Sequence, residues 1–142
     1  MKISARNVLG GTVARLTSGA VNSEVVLSLN GGGQITATIN NAGAKSLGLA
    51  VGKPATALIK AYSVMVMLPE GEYGLSARNA LRGKVTGIAN ASVSSDIAIA
   101  LEGGDEVHAA VPRDSVTSLG LEPGTEVIAV IKASSVIISV PT

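Results

Sequence analysis

The chain has no cysteine, no phenylalanine and no tryptophan, and its 142 residues include only one histidine and two tyrosines. Without cysteine it cannot form disulfides or thiolate metal sites, which is compatible with a cytoplasmic location. Without stacking aromatics it does not fit a binder of single-stranded nucleic acid. The lone histidine, His108, is a poor basis for acid–base catalysis, so we expect no enzyme and no direct cation site.

Long hydrophobic runs are also missing, although 46% of the residues are hydrophobic and only 15% are charged. The apolar runs, such as Val64–Leu68, are about five residues long, whereas a spanning helix needs about 20. The first residues turn polar at once, so no signal-peptide core is expected. We therefore predict a protein that does not enter the membrane. Its excess of apolar residues suggests surface that is buried between subunits.

What the chain does contain is an internal repeat. Shifted by 72 residues, Ser4–Leu68 aligns with Ser76–Val140 without a gap, and 24 of these 65 pairs are identical. Two copies of this size predict two small domains, at residues 1–68 and 76–142. Residues 69–75, which contain a proline, two glycines and two acids, are the predicted linker.

The two halves of the chain differ in charge. Residues 1–68 carry six Lys or Arg and one acid, a net charge of +5, whereas residues 69–142 carry five and nine, a net charge of −4. Opposite charges would favour packing of one half against the other, within a chain or between chains. The alternative is two unrelated solvated faces.

Each repeat has the sequence pattern of five short strands. A long first strand carries paired glycines at 10 and 11, where we expect it to bend. Residues 30–33 are typical of a hairpin turn, and a short helix over Asn41–Leu47 should end at Gly48. In the second repeat, Gly120 and the type II turn at 122–125 take corresponding roles. We predict an all-β chain with short helices, built as two tandem OB-like five-stranded β-barrels.

The repeated polar positions share one property, which is that every side chain donates hydrogen bonds and none is acidic. They are Ser4, Arg6, Asn7, Lys60 and Ser63, with Ser76, Arg78, Asn79, Lys132 and Ser135 in the second repeat. Arginine and lysine are the usual partners of tetrahedral oxyanions. The alternatives are a strand entry with a solvated arginine, or a Ser–Lys dyad formed by Ser63 and Lys60.

Four motifs together resemble the molbindin family, the Mop-type molybdate-binding domain. They are Ser-Ala-Arg-Asn, the following Gly-x-Val, Ser-Leu-Gly-Leu, and Ile-Lys-Ala-x-Ser-Val. The resemblance covers both repeats and is greatest for the two-domain molbindins. It implies an OB-like barrel that binds molybdate or tungstate at interfaces between domains. It also implies closed rings of six barrels, which three chains would form as a homotrimer.

Carried over to this chain, the resemblance implies one ligand site per repeat. The expected molybdate-binding residues are Ser4, Ala5, Arg6, Asn7, Gly43, Lys60, Ser63, Ser76, Ala77, Arg78, Asn79, Ser115, Lys132 and Ser135. Groups near Gly43 and Ser115 would complete sites whose main donors are the serines, arginines and lysines. Residues 40–43 differ from residues 112–115 at all four positions, so the two sites could differ in affinity.

The implied function is intracellular binding and storage of the oxyanion, with no cofactor beyond that ligand. The alternative is a regulatory or delivery module that hands molybdate to a transporter, a sensor or a cofactor-synthesis partner. The sequence has no phosphate-binding loop of a transport ATPase and leaves no room for a helix-turn-helix domain beside two barrels. We therefore expect no nucleic-acid partner.

Overall fold

In the computed structural model, which describes residues 1–71 and 73–142, each repeat contributes five strands and one short helix. The first repeat has β1 (Asn7–Ser18), β2 (Asn22–Leu29), β3 (Gln34–Asn40), α1 (Asn41–Ser46), β4 (Pro54–Ile59) and β5 (Met65–Met67). The second has β6 (Asn79–Asn90), β7 (Ser94–Leu101), β8 (Glu106–Pro112), α2 (Arg113–Ser118), β9 (Glu126–Ile131) and β10 (Ile137–Ser139). This composition confirms the predicted all-β class with short helices.

The predicted turns lie where the glycines indicated them. Gly48 and Gly120 follow the two helices with φ of +64°, a left-handed conformation that favours glycine. In the turn at 122–125, Gly124 has φ of +95° and the Thr125 N–H donates to the Glu122 carbonyl over 3.0 Å. Both features are those of a type II turn.

The long first strand bends at a different place from the one predicted. The register of β1 against β2 shifts between Val13 and Arg15, which makes Ala14 the bulged residue rather than either glycine of the pair. A side chain on Gly11 would instead collide with the carbonyl of Ser28 on the neighbouring strand. This glycine is therefore required by close strand packing and not by the bend.

Each sheet takes its fifth strand from the other repeat. The strand order is β10-β4-β1-β2-β3 in one sheet and β5-β9-β6-β7-β8 in the other. A 3-10 turn over Ala61–Ser63 or Ala133–Ser135 precedes each exchanged strand. The turn after β4 packs against β8, and the equivalent turn after β9 packs against β3. The two repeats are thus interleaved, an arrangement that the repeat boundaries at 1–68 and 76–142 do not reveal.

Both sheets share one hydrophobic core. Its largest fully buried side chains are all leucine, isoleucine or valine, as the lack of aromatics requires. The exchanged strands extend this core across the junction, because Ile138 of β10 is buried against the first sheet. The two hairpin turns also touch, and a side chain on Gly103 would lie 2.8 Å from Gly33 Cα.

The linker predicted at residues 69–75 follows β5, and its residue 72 lies outside the described residues. Across the part of the chain that the structure covers, the helices are too short and too polar to cross a lipid bilayer.

Candidate functional site

The strand register brings the repeated arginine and lysine together. The last pair of the β6–β9 register joins Asn79 to Ile131. The residues one step beyond, Arg78 and Lys132, therefore lie side by side at the strand ends, because opposite residues of an antiparallel pair are neighbours. The β1–β4 pair ends in the same register in the first repeat.

In the second repeat these residues line an open cleft of about 410 Å³. The lining residues come from both repeats, because β5 of the first repeat forms one wall. They are Thr38, Met65, Leu75, Ser76, Ala77, Arg78, Val130, Lys132, Ala133 and Ser134. Four of the residues predicted from the sequence thus meet in one place. The cleft offers a guanidinium, an ammonium and hydroxyl groups to a ligand of a few heavy atoms.

The first repeat presents the same donors with different neighbours. By the 72-residue shift, Ser4, Ala5, Arg6 and Lys60 take the positions of the lining residues just described. Ile137, which is 59% exposed, takes the position of Met65. Tyr62, which is 77% exposed, stands at the position of Ser134. The two sets of equivalent positions therefore share their charged donors but differ in the uncharged residues beside them.

The two predicted asparagines have a different role from the arginines. Asn79 is buried, and its amide accepts from Thr36 N over 2.8 Å and donates to Thr36 O over 2.8 Å and to Ile131 O over 3.2 Å. Asn7 makes the equivalent bonds to both backbone groups of His108 and to Ile59 O. Each amide thus joins the backbone of one repeat to a strand of the other.

We expect Asn79→Ala to destabilise the fold. The change leaves the half-buried Thr36 N–H and two carbonyls without their partner, which should lower the free energy of unfolding by about 1–3 kcal/mol. Urea denaturation measures this loss. Asn22→Ala is the matched control, because Asn22 is exposed and its loss should cost less than about 0.5 kcal/mol. Equal stability of the two variants would show that the amide does not hold the repeats together.

Two acids lie beside the arginines, and they were missed in the sequence. Arg78 makes a two-pronged ion pair with Glu24, of which the Nη2–Oε1 distance is 2.9 Å. Arg6 Nη2 lies 3.2 Å from Asp96 Oδ2. The signal was present, since residues 24 and 96 are themselves 72 apart and both acidic. An arriving anion must share each arginine with a carboxylate, and about half of each arginine side chain is exposed for it.

The remaining predicted residues Gly43, Ser63, Ser115 and Ser135 do not line the cleft around Arg78. Ser63 and Ser135 end the 3-10 turns, and each donates its backbone N–H to the carbonyl of the lysine before the turn. Gly43 lies in α1, where its N–H donates to Asn40 Oδ1 over 2.6 Å. Ser115 lies at the corresponding place in α2 and is half-buried. Neither helix residue lines the cleft around Arg78.

Among the described residues, no group of histidine and acidic side chains is arranged to hold a metal cation. The cleft around Arg78 presents a guanidinium and an ammonium, with Glu24 paired to the guanidinium.

The comparison with known families identifies the family of this chain. The model of the TOBE domain matches residues 3–66 and again residues 75–138. The chain belongs to the TOBE domain family. Its two matches coincide with the two repeats, and the resemblance to tandem Mop-type domains is confirmed.

A solved structure has the same fold along its whole length. The crystal structure of the cytoplasmic molybdate-binding protein ModG, with molybdate bound, is 48% identical, and the match covers 99% of this chain and 100% of that one with a TM-score of 0.95. A likeness of this extent confirms two tandem OB-like domains.

The relatives of this chain are named for molybdenum transport or for molybdenum-pterin binding. The molybdenum transport protein ModE of Azotobacter vinelandii is 42% identical over 99% of this chain and 52% of its own length. The molybdenum-pterin-binding protein MopA of Rhodobacter capsulatus is 40% identical over 99% of this chain and 53% of its own. The chain thus spans about half the length of these relatives.

Proposed function

We propose that the protein binds molybdate, or the closely similar tungstate, in the two clefts at the junction of its repeats. The observation that carries this proposal is the convergence of Ser76, Ala77, Arg78 and Lys132 on one cleft. A planar guanidinium beside an ammonium fits the several oxygens of a tetrahedral dianion. The close structural match to a molybdate-binding protein supports the choice of anion.

Each cleft is open on one side, and we propose that a second chain closes it. Apolar side chains surround the openings, where Ile3, Met65, Leu75 and Ile137 are each 44–59% exposed. Exposed apolar residues around a polar site are typical of an interface between subunits. The backbone and side-chain groups near Gly43 and Ser115 would then reach the anion from the neighbouring chain.

In a closed ring of three chains, every cleft is closed by a neighbouring chain. Every chain carries two donor clefts and two short helices, so each cleft of one chain can meet a helix of the next. We therefore propose a homotrimer with the anions bound between domains. Binding at these interfaces would stabilise the assembly by mass action.

The role that fits this arrangement is non-enzymatic storage of the oxyanion in the cytoplasm. The described site has hydrogen-bond donors for an anion. The relatives of the chain are named as molybdenum transport and molybdenum-pterin-binding proteins. One observation favours the alternative of a regulatory or delivery module. The chain matches only about half of the molybdenum transport protein, so the same pair of domains also occurs within a longer protein.

The test is elemental analysis of the purified protein after equilibration with molybdate and removal of free anion. We expect molybdenum to remain bound when sulfate and phosphate are present as competitors at the same concentration. Sedimentation equilibrium of the same samples should give three times the mass of the 14.1 kDa chain. A monomer that retains molybdenum would contradict the interfacial sites, and a sample that retains none would contradict the proposed function.

A further inference from the structure

The only histidine of the chain lies against the arginine of the first repeat. His108, on β8, has Nδ1 3.0 Å from Asp96 Oδ2 and 3.4 Å from Arg6 Nη2. Its other nitrogen, Nε2, lies 3.0 Å from Glu106 Oε1. The imidazole is about one-quarter exposed and is held between two carboxylates and a guanidinium.

The Nδ1 atom cannot serve both of its neighbours at once. A guanidinium only donates hydrogen bonds, so Nδ1 must be an unprotonated acceptor to bind Arg6. A carboxylate only accepts, so Nδ1 must carry a proton to bind Asp96. When the ring is neutral and Nε2–H donates to Glu106, Nδ1 is free to accept from Arg6. When the ring is protonated, Nδ1–H pairs with Asp96 and repels Arg6.

The second arginine has no such neighbour. At the position of His108 the first repeat has Thr36, and the position of Glu106 is taken by Gln34. Arg78 faces Glu24, which a second cation, Arg15, approaches to 4.0 Å. None of these side chains is a histidine, the residue type whose charge ordinarily changes between about pH 5 and 8.

The groups around the imidazole are few. The elements packed against β8 are β5, β7, α2 and the 3-10 turn after β4. Their charged or titratable side chains, with those flanking the turn and those of β8 itself, are Lys60, Tyr62, Asp96, Glu106, Arg113 and Asp114. Among these described residues, Asp96 and Glu106 are the ones within hydrogen-bond or ion-pair distance of the ring nitrogens, together with Arg6.

We propose that His108 is a positioning residue for Arg6 and that it makes anion binding at the first-repeat cleft depend on protonation. The inference rests on the proposed function, because it concerns the same donor residues. Protonation gives Asp96 a new partner and releases Arg6 towards the cleft. It also raises the local charge from zero to +1, counting Arg6, Lys60 and His108 against Asp96 and Glu106. Both effects strengthen binding of a dianion as the pH falls.

The experiment isolates one cleft at a time in the full-length chain. Arg78→Ala with Lys132→Ala leaves only the first-repeat donors, and molybdate affinity is then measured by calorimetry between about pH 6 and 8, where histidine titrates. We expect binding to be on the order of fivefold tighter at the lower end of this range. The complementary variant, Arg6→Ala with Lys60→Ala, should show a flat profile.

Exchanging one residue between the repeats tests whether the imidazole causes the pH dependence of molybdate affinity. His108→Thr, made in the first background, should abolish the pH dependence, and Thr36→His should introduce one in the complementary background. Both changes suit the backbone, since Thr36 and His108 already make the same bonds to their asparagines. His108→Gln, neutral throughout, should also give a flat profile.

The outcomes separate the two proposals. A pH dependence that survives in His108→Thr, or its absence in the first background, would overturn the role of His108 while leaving molybdate binding intact. A complete lack of molybdate binding by the unmodified chain at every pH would instead overturn the proposed function.

Discussion

Replacing both Arg6 and Arg78 by alanine should abolish tight binding of molybdate. In the proposed site, which a second chain closes, each change removes a charge-assisted donor to the anion, and such a loss costs about 1.5–3 kcal/mol. This corresponds to a loss of roughly 10- to 100-fold in affinity at each site. Equilibrium dialysis of the double variant against molybdate measures the loss.

The control is a double variant with the same change in net charge. Arg82 and Lys84 are both exposed, and neither lines the cleft around Lys132. Arg82→Ala with Lys84→Ala should therefore bind molybdate within about twofold of the unmodified chain, since long-range effects of exposed charges are screened by salt. If the two double variants bind equally well, the assignment of the donors is wrong.

Because the fifth strands are exchanged, two engineered cysteines in different repeats should form a disulfide. Without the exchange these two positions would not face each other. Ser139 of β10 pairs with Thr56 of β4 in the register of the first sheet. Cysteines at these two positions should oxidise within one chain and stabilise it by about 2–4 kcal/mol, because the link closes a long loop of the unfolded chain. The natural chain has no cysteine, so the product is unambiguous. Thiol titration and mobility on a non-reducing gel measure the yield.

A second pair of cysteines tests the alternative in which each repeat keeps its own fifth strand. Residue 67 stands 72 positions before residue 139, so Met67 would face Thr56 if each repeat kept its own fifth strand. In the structure Met67 pairs with Ile128 of the other sheet. Cysteines at 56 and 67 should therefore remain reduced within a chain. Efficient oxidation of this second pair would contradict the strand exchange.

Much of the fold follows from local patterns in the sequence. Glycines at 48, 120 and 124 adopt the left-handed conformations that their turns require. The bulge at Ala14 was not predicted, because a bulge depends on the register with the neighbouring strand. The paired glycines indicated a special backbone, but the neighbour that makes Gly11 necessary is Ser28, which lies far along the chain.

Part of the candidate site could also be predicted. Ser76, Arg78 and Lys132 were predicted from their repetition and Ala77 from the resemblance to the molbindin family, and all four line one cleft. The asparagines were placed with them because they donate hydrogen bonds, but repetition does not distinguish a ligand from a structural contact. Asn79 is repeated because both repeats need the same bonds between their strands.

The sequence alone determined the two repeats, the five strands of each, their aliphatic core and the arginine and lysine that recur with them. These features depend on residue type and spacing, which a linear pattern contains. Only the tertiary structure decided which repeat receives each fifth strand. Met65–Met67 and Ile137–Ser139 are both three-residue strands that follow the same 3-10 turn, so either could add to either sheet by backbone hydrogen bonds. The choice comes from how the turns pack across the junction, and the same packing brings Glu24 to Arg78 and Asp96 and His108 to Arg6.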